Sequence, residues 1–446
     1  MANLSLIGIV VGLVLLMILA FKGHSIIWVA PFCAAVVALL SSYNLLDAYL
    51  LSYMEGAAKY VFDWFPAFFL GAVYGKVMDR TGAARSLANI LVKLLGSKLA
   101  IAAVVIPCLL MTYGGVSLFV VVFVIYPMGY EIYREADLPR TLLPGAIAVG
   151  AFGVTMTAIP GSPQIQNLIP TKYFGTTASA APGLSIFATI IMLVPAYIYL
   201  EYRARQEKAK GHHFEPDPKH VGSEYDASKL PSWHWLSGII PIIAVVFMLN
   251  FFPKMIEHIV ELKSNQAIVI ALLTGILICI LMNLQNIKRI LPAINEGANG
   301  SMGAIMNTAC AVGFGSVVKV VPGFQTLTNA MLNIPGSVLV SEAVAVNVLA
   351  GATGSASGGM SIALEALGAK YLEIAKVTGI TPGELHRIAS ISSGGLDTLP
   401  HNGAVLTLLA VSNCTHKESY MDIAITTCIW PMVSSILVAF LWGAIF

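Results

Sequence analysis

The sequence predicts an all-α polytopic membrane protein made of two inverted-topology repeats, each with a re-entrant helical hairpin and a broken transmembrane helix. Three observations carry that prediction. Of 446 residues, 57% are hydrophobic and 11% charged, with a mean hydropathy of +0.81, whereas a soluble globule carries about 25% charged residues. Polar, glycine- and proline-bearing stretches interrupt apolar helical segments, most sharply SSGGLDTLPHNGAV at Ser392 to Val405. Broken polar backbone at membrane depth persists where it lines a cavity or binds something. Third, the second half of the chain repeats the first at a nearly constant offset.

In chain order, residues 1–47 hold two crossings, Leu4 to Phe21 and Ile26 to Leu40. With no basic n-region and no small-residue cleavage site, the first reads as a retained helix. Residues 48–98 hold a long segment, Ala48 to Met78, interrupted by Trp64 and Pro66, and the amphipathic stretch AARSLANILVKLLG, expected along the membrane surface. In residues 99–181, Leu99 to Met111 spans roughly 20 Å at about 1.5 Å per residue, too short for a hydrocarbon core of about 30 Å. The tip TYGGVS and a second apolar piece, Leu118 to Tyr133, follow, so a re-entrant hairpin is expected. After Pro139 a helix breaks at TAIPGSPQIQN, Thr157 to Asn167.

Residues 182–289 hold connecting helices around the hydrophilic segment 201–231, with six basic and six acidic residues and the histidines His212 and His213. It reads as a solvated loop. Residues 290–337 and 338–418 then repeat 48–98 and 99–181, and 419–446 form a last helix. Val77, Leu87 and Asn89 recur as Val317, Leu327 and Asn329 at an offset of 240, GGVS at Gly114 meets GGMS at Gly358, and Pro160 lies opposite Pro400.

Placing the N-terminus outside puts Lys22, Arg80, Arg85, Lys93, Lys98, Arg134, Arg140, the six loop cations, Lys288, Arg289 and Lys417 in the cytoplasm. These are most of the 25 basic residues, as the positive-inside rule requires. The first hairpin then enters from the cytoplasm and the second, around TGSASGGMS, from outside. A net charge of +2 and a loop of mixed sign exclude a nucleic-acid partner. The lipid bilayer is the expected surroundings. The six cysteines form no CxxC pair and read as small buried hydrophobes; no metal site and no cofactor are expected.

Four irregular stretches carry the expected chemistry: TYGGVS, TAIPGSPQIQN, TGSASGGMS and SSGGLDTLPHNGA. Helix N-termini at tips and breaks present unpaired N–H groups and a positive dipole end, which suits an anion. None of the four contains Lys or Arg. Candidate substrate contacts are therefore Thr112, Gly114, Gly115, Ser117, Ser162, Gln164, Asn167, Ser357, Gly358, Gly359, Ser361, Thr398, His401 and Asn402. The ionisable pair Asp397 and His401 is the candidate for ion coupling, because a carboxylate or imidazole in low dielectric can carry a proton. Each has a plainer role open to it: close packing for the glycines, satisfaction of broken backbone for Gln164, Gln166 and Asn167, a helix cap for Asp397, and a hydrogen-bonded core position for His401. Glu342 and Glu365, in the second hairpin, are further candidates for ion coupling, with facing water or a surface partner as the plainer role open to each.

The motifs TGSASGGMSIAL, GGLDTLPHNGAVLTLLAV and THKESYMDI resemble the gluconate permease family of proton-coupled symporters, and the paired hairpins with two broken helices are similar to the wider ion transporter superfamily. The resemblance covers almost the whole chain. It implies uptake of a small organic anion with protons across the inner membrane by an elevator movement. Residues 99–181 and 338–418 would move against a scaffold, and the scaffold would form a homodimer contact. The first break, AIPGSPQIQNLIP, is similar to members serving short hydroxy acids such as 3-hydroxybutyrate, leaving gluconate or another sugar acid as the alternative. Sodium is the alternative coupling ion, since tip carbonyls and hydroxyls also suit it. A membrane-embedded hydrolase using Asp397, His401 and a serine lacks any GxSxG elbow or HExxH helix, and a channel fits occluding hairpins poorly.

Overall fold

The computed structural model describes residues 2–22, 24–116, 118–216, 231–259, 262, 264–332, 334, 337–353, 355–400 and 402–445. Two predicted site residues, Ser117 and His401, lie outside the described residues. Every regular element among the described residues is helical, as apolar surroundings demand when each backbone group must find its partner within its own segment. The helical runs Pro182–Ala209, Leu284–Val320 and His416–Gly443 are each long and apolar enough to cross a membrane.

Two long helices, Met54–Arg80 and Ile287–Val320, pack along each other at the centre. Glycines permit the approach. A Cβ at Gly297 would lie 2.6 Å from Val73 Cα, and one at Gly56 would lie 2.1 Å from Ser316 Oγ. The expected interruption at Trp64 and Pro66 is absent: the helix runs unbroken through Pro66, as its partner does through Pro292. Close packing against a partner helix lets a helix continue through a proline that would otherwise end it.

The first hairpin comprises Ala100–Tyr113 and Leu118–Glu135, the second Val338–Thr353 and Ala356–Thr378. The first turns at Gly114-Gly115, whereas the Gly358-Gly359 pair of the second lies in the first turn of Ala356–Thr378, just after its N-cap Ser355. Gly115 takes φ +89, a left-handed conformation that a Cβ would strain, and its added Cβ would also meet Pro163 at 2.8 Å. In the second hairpin Gly359 lets the helices touch, since a Cβ there would sit 2.1 Å from Ala350 N. Backbone cannot yield as a side-chain tip can. Gly359→Ala is therefore expected to cost on the order of 3 kcal/mol, read as a lower melting temperature of the purified protein.

The first broken helix runs over 143–157, with a π-turn at Val149–Gly153, becomes irregular, and resumes as Ile165–Phe174. The second comprises Pro382–Ser393, a 3-10 turn at Leu396–Thr398, and Gly403–Val411. Its start is set by a capping box between Thr381 and Glu384 with Pro382 in the first turn.

The hydrophilic segment expected as loop from Glu201 is helical at first, because Pro182–Ala209 runs through it. Its histidines face separate carboxylates, His212 with Glu207 at 2.5 Å and His213 with Asp137 at 2.7 Å. All six cysteines are free and buried.

Candidate substrate and ion site

The first hairpin tip is tied to the first break. Gln164 Nε2 donates to Thr112 O at 2.7 Å and the Tyr113 hydroxyl donates to Pro160 O at 3.3 Å. The Tyr113 bond reaches a carbonyl of the broken helix, while Gln164 adds a second donor to Thr112 O, which also accepts Gly115 N–H at 3.0 Å. Asn167, fully buried, donates to Ser162 O at 2.7 Å and Ala178 O at 2.9 Å, and its Oδ1 meets His386 Nε2 at 3.3 Å. It is spent on broken backbone. The Ser162 hydroxyl accepts Gln164 N at 3.3 Å.

The second hairpin tip is tied to the second break by Asp397. Its Oδ1 accepts Ala356 N–H at 2.7 Å and Asn402 Nδ2–H at 3.2 Å. The carboxyl thus sits on the N-terminus of Ala356–Thr378, where Ser355 Oγ also accepts Gly358 N at 3.2 Å. Asn402 caps the following helix, accepting Ala404 N at 2.7 Å and Val405 N at 3.3 Å. Sequence reasoning left those N–H groups open to a substrate anion; here protein side chains hold them. Thr398 donates to Thr427 O at 2.8 Å and accepts the Thr427 hydroxyl at 3.0 Å, facing the C-terminal helix.

The two breaks adjoin. Ser390 Oγ donates to Thr157 O at 2.7 Å, and a Cβ at Gly394 would lie 3.0 Å from Thr157 Cγ2. Arg387, wholly buried, donates to Thr157 O at 3.2 Å, Ala178 O at 3.3 Å and Ala180 O at 3.1 Å. A guanidinium at a helix C-terminus answers the negative dipole end. The mirrored arrangement occurs at the other end, where Arg140 Nη1 donates to Ser412 O at 2.6 Å just beyond Gly403–Val411.

Several hydroxyls are not spent in this way. Thr112, Thr155 and Ser392 are fully buried with side-chain oxygens that make no hydrogen bond to the protein. Ser361 lies beside the Tyr60 hydroxyl outside hydrogen-bonding geometry. All four stand in or beside the tips and breaks, and unpaired buried oxygens are donors and acceptors available to a ligand. Ser357 meets Thr308 of a long helix at 3.3 Å. A Cβ at Gly358 would approach Ala311 to 3.4 Å and one at Gly114 would collide with Ile242, so these glycines serve packing. Thr155, Ser392, His386 and Arg387 were outside the sequence prediction. The available signal was polar residues on short helices just before a break.

A family model described as "Citrate transporter" (CitMHS) matches residues 16–350. The chain belongs to the citrate transporter family. A family relative, the uncharacterized transporter YxjC of Bacillus subtilis, is 40% identical over 455 residues, covering 96% of each chain. The YdaH transporter of Alcanivorax borkumensis shares the fold of this citrate-transporter-family chain with a TM-score of 0.55 at 14% identity, covering 99% of both chains. MtrF of Neisseria gonorrhoeae has a TM-score of 0.53 at 12% identity, covering 99% of this chain and 95% of its own. The family that matches is that of citrate transporters, not the gluconate permeases expected from the C-terminal motifs. The chain is a membrane transporter of a small molecule and not an enzyme.

Proposed function

We propose that this secondary transporter of the citrate transporter family imports a small organic (hydroxy)monocarboxylate such as 3-hydroxybutyrate with protons. The single observation that carries the reading is Asp397, whose carboxyl occupies the helix N-terminus of the second hairpin tip. An ionised Asp397 competes with a substrate carboxylate for the same positive end. A proton on Asp397 removes that competition, so proton and anion binding favour each other. The cation nearest the breaks, Arg387, is committed to three carbonyls, and this favours a monoanion over citrate, whose extra charge would go unanswered.

The bonding between segments supports an elevator movement. Residues 99–181 and 338–418 are joined through Arg387, Ser390 and Arg140, and this supports their moving as one body. Against the long helices their polar links include the hydroxyl contact Ser357–Thr308 and the partly exposed pairs Lys172–Asp63 and Lys319–Glu365, the ion pairs being of the sort worth about 1 kcal/mol or less. An elevator in which two inverted repeats slide along 48–98 and 290–337, with those segments forming a homodimer in the inner membrane and the N-terminus outside, is the corresponding arrangement.

Uptake into proteoliposomes tests the function. Labelled 3-hydroxybutyrate is expected to accumulate under an inward proton gradient, to leak back when the gradient is collapsed, and to accumulate equally with choline replacing sodium. Preference for citrate over 3-hydroxybutyrate would overturn the monocarboxylate class, and preference for gluconate would overturn the short hydroxy acid within it. A sodium requirement would overturn the coupling ion.

A further inference from the structure

Glu342 stands on Val338–Thr353, the first helix of the second hairpin, with 0% exposure and neither carboxyl oxygen hydrogen-bonded. Other buried or half-buried acids of the fold have partners. Asp397 holds Ala356 N–H, Asp422 takes Arg203 at 2.9 Å and Tyr199 at 2.8 Å, and Glu365 takes Lys319 and Tyr173.

Among the described residues, no cation of the elements packed most closely on this helix answers Glu342. Ala2–Phe21, Gly323–Leu332 and Trp430–Ile445 touch it without bringing a titratable side chain. Ala356–Thr378 brings Glu365, Lys370, Tyr371, Glu373 and Lys376; Lys370 pairs with Glu373, Lys376 is exposed, and the Tyr371 hydroxyl meets Ser341 at 3.4 Å beside Glu342. Pro382–Ser393 brings Glu384, His386 and Arg387, held by Thr381, by Thr176 and Asn167, and by backbone carbonyls respectively. The turn Leu396–Thr398 brings Asp397.

An ionised carboxyl so placed would forgo water without gaining a charge partner or a donor, a state proteins avoid by binding a proton instead. The same helix leads to the second break. Asn347, with its buried Oδ1 lacking a partner, lies against Gly395, and Gly351 abuts Leu396.

Resting on the proton-coupled reading above, we infer that Glu342 is a second proton-binding site of the transport cycle, loaded in this conformation and emptied when the hairpin moves it toward water. Two protons, on Asp397 and Glu342, then accompany one monocarboxylate. Full-length Glu342→Gln in proteoliposomes tests this. Dropping one proton lowers the limiting accumulation ratio by about tenfold per unit of pH gradient, while exchange of labelled for unlabelled 3-hydroxybutyrate stays at the wild-type rate. Glu342→Asp restores the gradient response.

Wild-type accumulation by Glu342→Gln overturns the inference, as does equal loss of exchange and accumulation, which assigns Glu342 a structural role. A wild-type protein indifferent to the proton gradient overturns the proton-coupled reading itself. If Glu342→Gln does not fold, infrared difference spectra of Asp397→Asn in H2O and D2O decide. A protonated-carboxyl band that persists above about pH 6, where exposed carboxyls are ionised, and is lost only at higher pH supports the site, and the absence of any such band above about pH 6 overturns it.

Discussion

Asp397→Asn is expected to leave substrate exchange intact and to remove one proton's share of uphill transport, a fall of about tenfold per unit of pH gradient. The asparagine Oδ1 still accepts the Ala356 N–H that the carboxyl accepts at 2.7 Å, so the tip of the second hairpin keeps its cap. What is lost is the negative charge, worth about 1 kcal/mol at a helix N-terminus, and with it the ability to switch. In the wild type, substrate affinity should rise as pH falls, because protonation of Asp397 weakens its hold on the same helix end. In the variant, the share of that pH dependence contributed by Asp397 should be gone, leaving a shallower dependence, since the amide resembles the protonated acid at every pH. Binding measured by calorimetry at two pH values separates these outcomes; an unchanged pH dependence in Asp397→Asn would assign Asp397 to capping alone.

Arg387→Met is expected to destabilise the fold by about 2–4 kcal/mol, combining lost charge-assisted bonds with a poorly filled space. The side chain is wholly buried and reaches three carbonyls in two segments of the first repeat, Thr157 O at 3.2 Å and Ala178 O and Ala180 O at 3.3 and 3.1 Å. Some of these carbonyls keep another donor, since Ser390 also reaches Thr157 O and Asn167 also reaches Ala178 O. That redundancy limits the loss. Lysine should rescue little, because one ammonium on a thinner stem cannot fork to separated carbonyls as a guanidinium does. Thermal unfolding followed by size-exclusion chromatography reads the effect, and a melting temperature equal to wild type would contradict the clasp.

The sequence located the interruptions closely because their causes are local. Glycine and proline mark the tip at Gly114 and the breaks near Pro160 and Pro400, and the observed helix ends fall there, while at the second tip the helix begins at Ala356, just before Gly358. It erred where neighbours override local preference: Pro66 leaves its helix unbroken, and Pro182–Ala209 stays helical into a charged segment expected as loop. Among site residues, chemical type alone could not divide free groups from committed ones. Asn167 and Thr398 look like ligands in sequence and are spent on carbonyls, whereas Thr155 and Ser392, unremarkable in sequence, keep unpaired oxygens.

The sequence by itself determined an all-helical membrane chain with polar breaks. Apolar composition and helix-breaking residues act over a few positions, and hydrocarbon leaves the backbone few alternatives. Only the tertiary structure decided which polar groups are occupied. Arg387 meets Thr157 across 230 residues and Arg140 meets Ser412 across 272, and Asp397 covers a helix end 41 residues before it. The same holds for Glu342, which in sequence is one acid in an apolar helix. Its isolation exists only once six neighbouring elements have packed around it without bringing it a charge or a donor.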